Sequence, residues 1–198
     1  MISRRDKEDS KELKGNTMGK IVSNCYAVIN GFCKKIIVAL TTKGKFTIGS
    51  IFRLFRTSKL SIYGSGNGRF GNNVKITDFA RIVCTKDAKL VIGDNVGIGE
   101  YSIVVCRNQI SIGNGTMLGP SVYIYDHDHL FDSESGARRG EFSLGKVIIG
   151  NNCWIGANTV ILKDTTIGDN CVIGAGSVIK GEIKPGTKVI QKRNTVFI

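Results

Sequence analysis

The sequence predicts an all-β fold: a parallel β-helix of stacked hexapeptide repeats with an amphipathic helical segment in front of it. Three observations carry that expectation. Ile149, Ile155, Ile161, Ile167, Ile173 and Ile179 fall at a spacing of six. The fifth place of each unit is small, as Cys153, Thr159, Thr165, Cys171 and Ser177, until Ile183 ends the series. The chain also holds 25 glycines against two prolines, a balance that asks for many tight corners and fits neither collagen nor a flexible linker. A period of six matches neither the 3.6 of a helix nor the simple alternation of a long half-buried strand. It fits short strands joined by corners, with places one and five pointing inward and Gly or Asn turning the chain between them. Three units make one triangular coil of 18 residues, which stacks Cys153 on Cys171 as small core filling.

In chain order, residues 1–17 are polar, charged and aperiodic, and read as a disordered leader or a frayed helix. Residues 18–62 read as a basic amphipathic helix and a lead-in. From Met18 to about Leu40 the residues Ile21, Val22, Cys25, Val28, Ile29, Phe32, Ile36 and Ile37 recur at three- and four-residue steps. Lys34 and Lys35 interrupt the apolar run, so the segment does not read as membrane-spanning. Its stripe either packs on the main domain or lies on an anionic membrane surface. Residues 44–62 read as extended chain leading into the repeat. Residues 63–189 hold the β-helix, with Phe70, Ile76, Ile82, then Ile92, Ile98, Val104, Ile110, and after a two-residue slip Ile112, Leu118, Ile124. A loop at 130–146 separates these from the isoleucine series, and 190–198 is a tail.

The net charge of +12 is uneven: residues 1–60 hold 13 Lys/Arg against 4 Asp/Glu, and no acidic residue occurs between Glu12 and Asp78. An anionic partner for residues 18–59 follows from that imbalance, and a membrane surface where lipid-phosphate-linked sugars are made fits it. Nucleic acid does not, because no stacking platform or recognised motif accompanies the charge. The six cysteines form no CxxC pair, which argues against a thiolate metal site, and no signal peptide is legible. The expected setting is therefore reducing and cytoplasmic, peripheral on the inner face of the membrane if residues 18–59 dock there.

Between the repeat blocks runs VYIYDHDHLFDSESGARRGEFSLGKV, residues 122–147, which contains both histidines of the chain. An excursion from a stacked coil is a natural place for function. A hydroxyl is a poor nucleophile until its proton is removed, and histidine is suited to that task near neutral pH. Alternation puts Asp126 and Asp128 on one side of the strand and His127 and His129 on the other, so spacing alone does not choose between the histidines. A metal site from these four lacks a further cluster to complete a shell.

The repeats resemble those of the bacterial hexapeptide-repeat acyltransferases, over roughly Phe70 to Val189. The resemblance implies a left-handed parallel β-helix, a hand that the general rule for parallel crossovers does not give. In the maltose and galactoside acetyltransferases the catalytic histidine ends a Gly/Pro-containing unit just before the loop, and LGPSVYIYDHDHL puts His129 there as general base. The YDHDH form is similar to the branch that acetylates capsule, O-antigen or exopolysaccharide sugars. The galactoside enzymes' acceptor asparagine falls on Gly99, a departure. Asp126, His127, Glu100, Tyr101 and Glu141, with Arg138 and Arg139, are the implied acceptor contacts. Through KVIIGNNCWIGANTVILKDTTIGDNCVIGAGSVIKGEI, the resemblance puts Trp154, Ala157, Ala175 and Lys180 along a coenzyme A groove between adjacent prisms. Lys192 and Arg193 stand in a tail, VIQKRNTVFI, that departs from the usual Gly-Asn-Pro-Ala-Lys ending, and would meet the cofactor's phosphates. The implied protein is a homotrimeric, metal-free O-acetyltransferase with acetyl-CoA as co-substrate and a sugar or glycan as acceptor. N-acylation of an amino sugar or serine-like acceptor, and a non-catalytic scaffold, are the alternatives.

Overall fold

The computed structural model describes residues 4–64 and 66–192, with side chains from residue 18 onward. One helix, α1 (Arg4–Thr41), precedes a three-faced parallel solenoid. The second face is a seven-stranded sheet running from Phe52–Leu54 through Gly97–Ile98 and Trp154–Ile155 to Lys188–Val189. The first and third faces form one 11-stranded sheet, because Val160–Ile167 and Val178–Ile183 turn the corner between them. Every position-one residue of the expected frame, from Phe70 to Ile179, is buried, and so are Cys153, Thr159, Thr165, Cys171 and Ser177. Cys153 and Cys171 are free thiols, stacked one coil apart.

The solenoid begins earlier than the sequence suggests. The lead-in 44–62 is itself the first coil: Phe46 registers with Gly68 and Phe52 with Val74. The register advances by 22 residues from Phe46 to Gly68 and to Leu90, by 20 to Ile110, and by 18 only between Val147 and Thr165. The early coils carry a turn at the third corner, as in Thr85–Ala88, with Asp87 at φ 63°. Phe46, Phe52 and Phe70 fill the interior there, the Phe70 ring centroid lying 5.4 Å from Phe46 and 5.2 Å from Phe52.

Each coil presses its backbone against the next, which is why Gly follows the inward aliphatic residue. A Cβ on Gly150 would lie 2.4 Å from Asp169 Oδ1 and 2.6 Å from its backbone N. The neighbouring corner is held by a ladder of side chains. Asp94 Oδ1 accepts from the Asn72 N–H at 2.7 Å, Asn114 Oδ1 from Asp94, Asn151 Oδ1 from Asn114, and Asp169 Oδ1 from Asn151. Asn95, Asn152 and Asn170 then take the left-handed conformation at φ 54–58°, which Asn tolerates better than most residues.

α1 covers the outer strand edge of the first coil, where it meets the carbonyls of Gly49, Phe52 and Leu54. Gly31 lets the helix approach so closely that a Cβ there would overlap the Phe52 carbonyl. Asn30 Nδ2 donates to Leu54 O at 2.9 Å, and Lys35 Nζ donates to Gly49 O at 3.4 Å. Ala27 and Val38 are buried, and burial holds the Lys34 ammonium below the ordinary lysine range. The stripe that the sequence offers for packing points the other way: Ile21, Val22, Cys25, Val28, Ile29, Phe32, Ile36 and Ile37 are all exposed. The seat needs small and hydrogen-bonding residues, because it meets a strand edge and not an apolar surface. At the other end, Gln191 substitutes for a further strand, its side-chain amide donating to Val178 O and accepting from Val178 N.

Gly150→Ala should destabilise the fold by about 1–3 kcal/mol through overpacking. Gly97→Ala, where a Cβ meets nothing within 4 Å, should change it by less than about 0.5 kcal/mol. Urea unfolding midpoints compare the two.

Candidate active site

Among the described residues the chain leaves the coil once, between Ile110 and its register partner Val147. The excursion expected as a polar loop is an antiparallel hairpin, His127–Asp132 with Gly136–Leu144, standing out from the end of the third face. His127 registers with Leu144 and His129 with Phe142. Lys163, on the coil after the break, pins the base: its Nζ donates to Ser143 Oγ at 2.8 Å and lies 4.0 Å from Asp128.

The alternation read from the sequence holds here, with a consequence that it does not reveal. Asp126 turns inward and is fully buried. Its carboxylate accepts from the Arg107 N–H at 2.9 and 3.0 Å and from the Asn108 N–H at 2.7 Å. Oδ1 also lies 3.0 Å from His127 Nδ1. In neutral His127 this contact puts the proton on Nδ1 and leaves the Nε2 lone pair free. Asp126 is thus an orienting group with no surface for an acceptor, which corrects its expected role.

His127 and His129 share one side of the strand and meet the same ring. Phe142 lies 5.3 Å from His127, edge-on, and 4.6 Å from His129. Arg107 closes the group, its guanidinium 3.7 Å above Phe142, with a buried Nε that has no partner among the described residues. The His127 side chain is 10% accessible, whereas His129 is exposed. Burial pushes the Tyr125 phenol beside His127 above its ordinary range, so it stays protonated at neutral pH. Beneath Asp126, Cys106 is no nucleophile, because its hydrogen bond with Cys84, its burial and the Asp126 charge hold the thiol far above the usual range. Among the described residues no three His, Cys, Asp or Glu side chains are placed to hold a metal.

The other candidates lie elsewhere on the prism. Glu100, Ala157 and Ala175 stack at the corner between the second and third faces, as the Ser121 N–H to Glu100 O and Gly176 N–H to Ala157 O bonds place them. Tyr101, at φ 59°, stacks on Phe79 at a centroid distance of 4.8 Å. Trp154 is 55% exposed on the second face beside Met117, and Lys180 is exposed on Val178–Ile183. A third-face strand of three or four residues, about 10–13 Å, separates that corner from the hairpin. Glu141 stands on the hairpin, 3.6 Å from Arg138, away from the histidine cluster's buried side. A Cβ on Gly99 would lie 2.4 Å from Gly119 C, so no side chain fits where the galactoside enzymes have asparagine. Lys192 is exposed, and Arg193 lies outside the described residues. Phe142, Arg107 and Lys163 escape sequence reading. Only the alternation of 136–144 hints at Phe142.

Residues 146–181 match the bacterial transferase hexapeptide (six repeats) family. The chain is 42% identical over 105 residues to nodulation protein L of Rhizobium meliloti, covering 50% of this chain and 56% of that protein. It spans about half the length of the two nodulation proteins it matches. It is 28% identical over 148 residues to an Escherichia coli protein provisionally named a lipopolysaccharide biosynthesis O-acetyl transferase, covering 67% of this chain and 76% of that one. In fold it is similar to an N-acyltransferase from Bacillus cereus solved with dTDP and 3-hydroxybutyryl-CoA. That likeness has a TM-score of 0.56 at 20% identity, over 77% of this chain and 80% of that one.

Asp126→Ala leaves two buried amides and the His127 imidazole without their acceptor and should cost on the order of 3 kcal/mol. Asp128→Ala removes only an exposed, 4.0 Å pairing and should cost less than about 0.5 kcal/mol. Equilibrium unfolding of both variants checks the contrast.

Proposed function

We propose that this protein is an acyltransferase that carries an acetyl group from acetyl-CoA to a hydroxyl of a sugar in a surface polysaccharide or its precursor. The observation that carries the reading is the pair of imidazoles gathered on one side of a hairpin around Phe142, on the only excursion from the coil among the described residues. His129 takes the hydroxyl proton as the oxygen attacks the thioester carbonyl, because it is the imidazole that an acceptor can reach. Protonated His129 then returns the proton to the leaving thiolate, while backbone N–H groups of the groove stabilise the oxyanion. His127, clamped by Asp126, supports Phe142 beneath His129. The provisional name of the Escherichia coli relative favours an oxygen acceptor.

The cofactor arm lies along Ala157 and Ala175, with Trp154 near the thioester and Lys180 toward the nucleotide. That corner is a face away from His129 on the same prism, so the reading requires adjacent prisms to share each site. A homotrimer with three such sites satisfies it. A second reading, transfer to the nitrogen of an amino sugar, is favoured by a 27% identical Escherichia coli relative named dTDP-4-amino-4,6-dideoxy-D-glucose acyltransferase. Alkali-labile ester and alkali-stable amide products separate the two.

His129→Ala should lower kcat by about 10²- to 10⁴-fold with the KM for acetyl-CoA little changed; full activity in this variant removes His129 from the role. Chains bearing His129→Ala and chains bearing Ala175→Trp should each be inactive alone. Co-expressed, they should regain activity at sites built from one intact half of each, and complementation assays score this directly.

A further inference from the structure

The polarity of α1 is inside out. At 3.6 residues per turn, the half turned away from the prism carries no charged residue between Met18 and Leu40. Met18, Ile21, Val22, Ile29, Phe32 and Leu40 are each more than half exposed on it. The small and polar residues Ala27, Asn30, Gly31 and Lys35 face the coil. An apolar face of this length left in water marks a surface that something else covers. The surrounding charge indicates what. Residues 18–59 hold eight Lys/Arg and no Asp or Glu, and Lys43, Lys45, Arg56 and Lys59 are exposed next to the helix or on the first coil. A second copy docked here would set those cations against their own kind.

A groove of about 640 Å³ runs between α1 and the first coil, lined by Cys25, Val28, Ile29, Ile51 and Arg53. Arg53 donates to Asn73 Oδ1 at 2.6 Å, yet its buried Nε–H has no partner among the described residues. A donor left open in an apolar groove beside an apolar face suits the phosphate of a lipid whose acyl chains lie against that face.

We propose that the outward face of α1 docks on an anionic phospholipid bilayer, with the helix lying in the interface and the basic first coil against the headgroups. The segment Met18–Thr41 is long and apolar enough to span a membrane, but its other side is seated on the first coil through Ala27, Gly31 and Val38. Spanning would strip that seat from the strand edge it covers. A helix lying in the plane keeps the seat and buries the apolar half.

The full chain should float with phosphatidylglycerol-rich vesicles in a density gradient and much less with phosphatidylcholine vesicles, and added salt should weaken the binding. Ile29→Glu/Phe32→Glu, at exposed positions far from the hairpin, should lower vesicle partitioning by about tenfold or more. Arg53→Gln should weaken binding to the anionic vesicles. Far-UV circular dichroism checks that the helix survives, and Leu40→Glu serves if the double variant does not fold. Failure of the wild type to float, or flotation of the folded variants equal to the wild type, overturns the proposal. So does a wild-type oligomer, seen by light scattering, that the double variant dissolves while vesicle binding stays unchanged, since a second copy then covers the face. Soluble-acceptor acyl transfer is measured alongside, so loss of docking and loss of chemistry are read apart.

Discussion

One requirement underlies this molecule: the backbone N–H and carbonyl groups of each coil pair with those of the coils on both sides, as Gly150 N–H does with Ile167 O on the following coil and Gly176 N–H with Ala157 O on the preceding one. That ladder sets the distance between coils, and the distance sets the sequence. A residue that comes between two backbones has no room for a Cβ, so glycine recurs after the inward aliphatic residue at Gly71, Gly93, Gly113, Gly150 and Gly168. A residue that must receive the N–H of the preceding coil has a short side chain ending in oxygen, so Asn or Asp recurs one place later. The hexapeptide pattern is the imprint of stacking geometry, with aliphatic packing layered onto it.

The same logic explains what could be read in advance. From Phe70 to Ile179 the inward frame was legible because burial selects one side-chain class at a fixed interval. The first coil was not, since it is filled by Phe46, Phe52 and Leu54 and its third corner is longer, which breaks the period of six. The face that α1 turns to the coil was left undecided for a different reason. Hydrophobic periodicity reports that a helix has two sides, but it says nothing of which side the rest of the chain will meet. Here the partner is a row of carbonyls, and Asn30, Gly31 and Lys35 suit it better than isoleucine does.

At the candidate site, two histidines among 198 residues made one segment conspicuous, and alternation separated them from Asp126 and Asp128 as the strand does. The tertiary part was hidden. Asp126 is held by backbone amides of Arg107 and Asn108 from the preceding coil, and Phe142 reaches the histidines through the hairpin register that pairs it with His129. The coil thus supplies the floor, with a buried carboxylate set into it, and the hairpin supplies the walls. Ile110 still registers with Val147 across the excursion, so the scaffold is unbroken beneath the insertion.

The two ends of the solenoid are strand edges of matching geometry, each offering backbone N–H and carbonyl groups for pairing. A bare solenoid could therefore add another copy head to tail and grow as an open filament, because that contact repeats without closing. α1 occupies one terminus through Gly31, Asn30 and Lys35. At the other, the Gln191 amide bonds both the N–H and the carbonyl of Val178. The helix is thereby an end-stop against polymerisation as well as a cover, and its loss would turn a discrete particle into a propagating one.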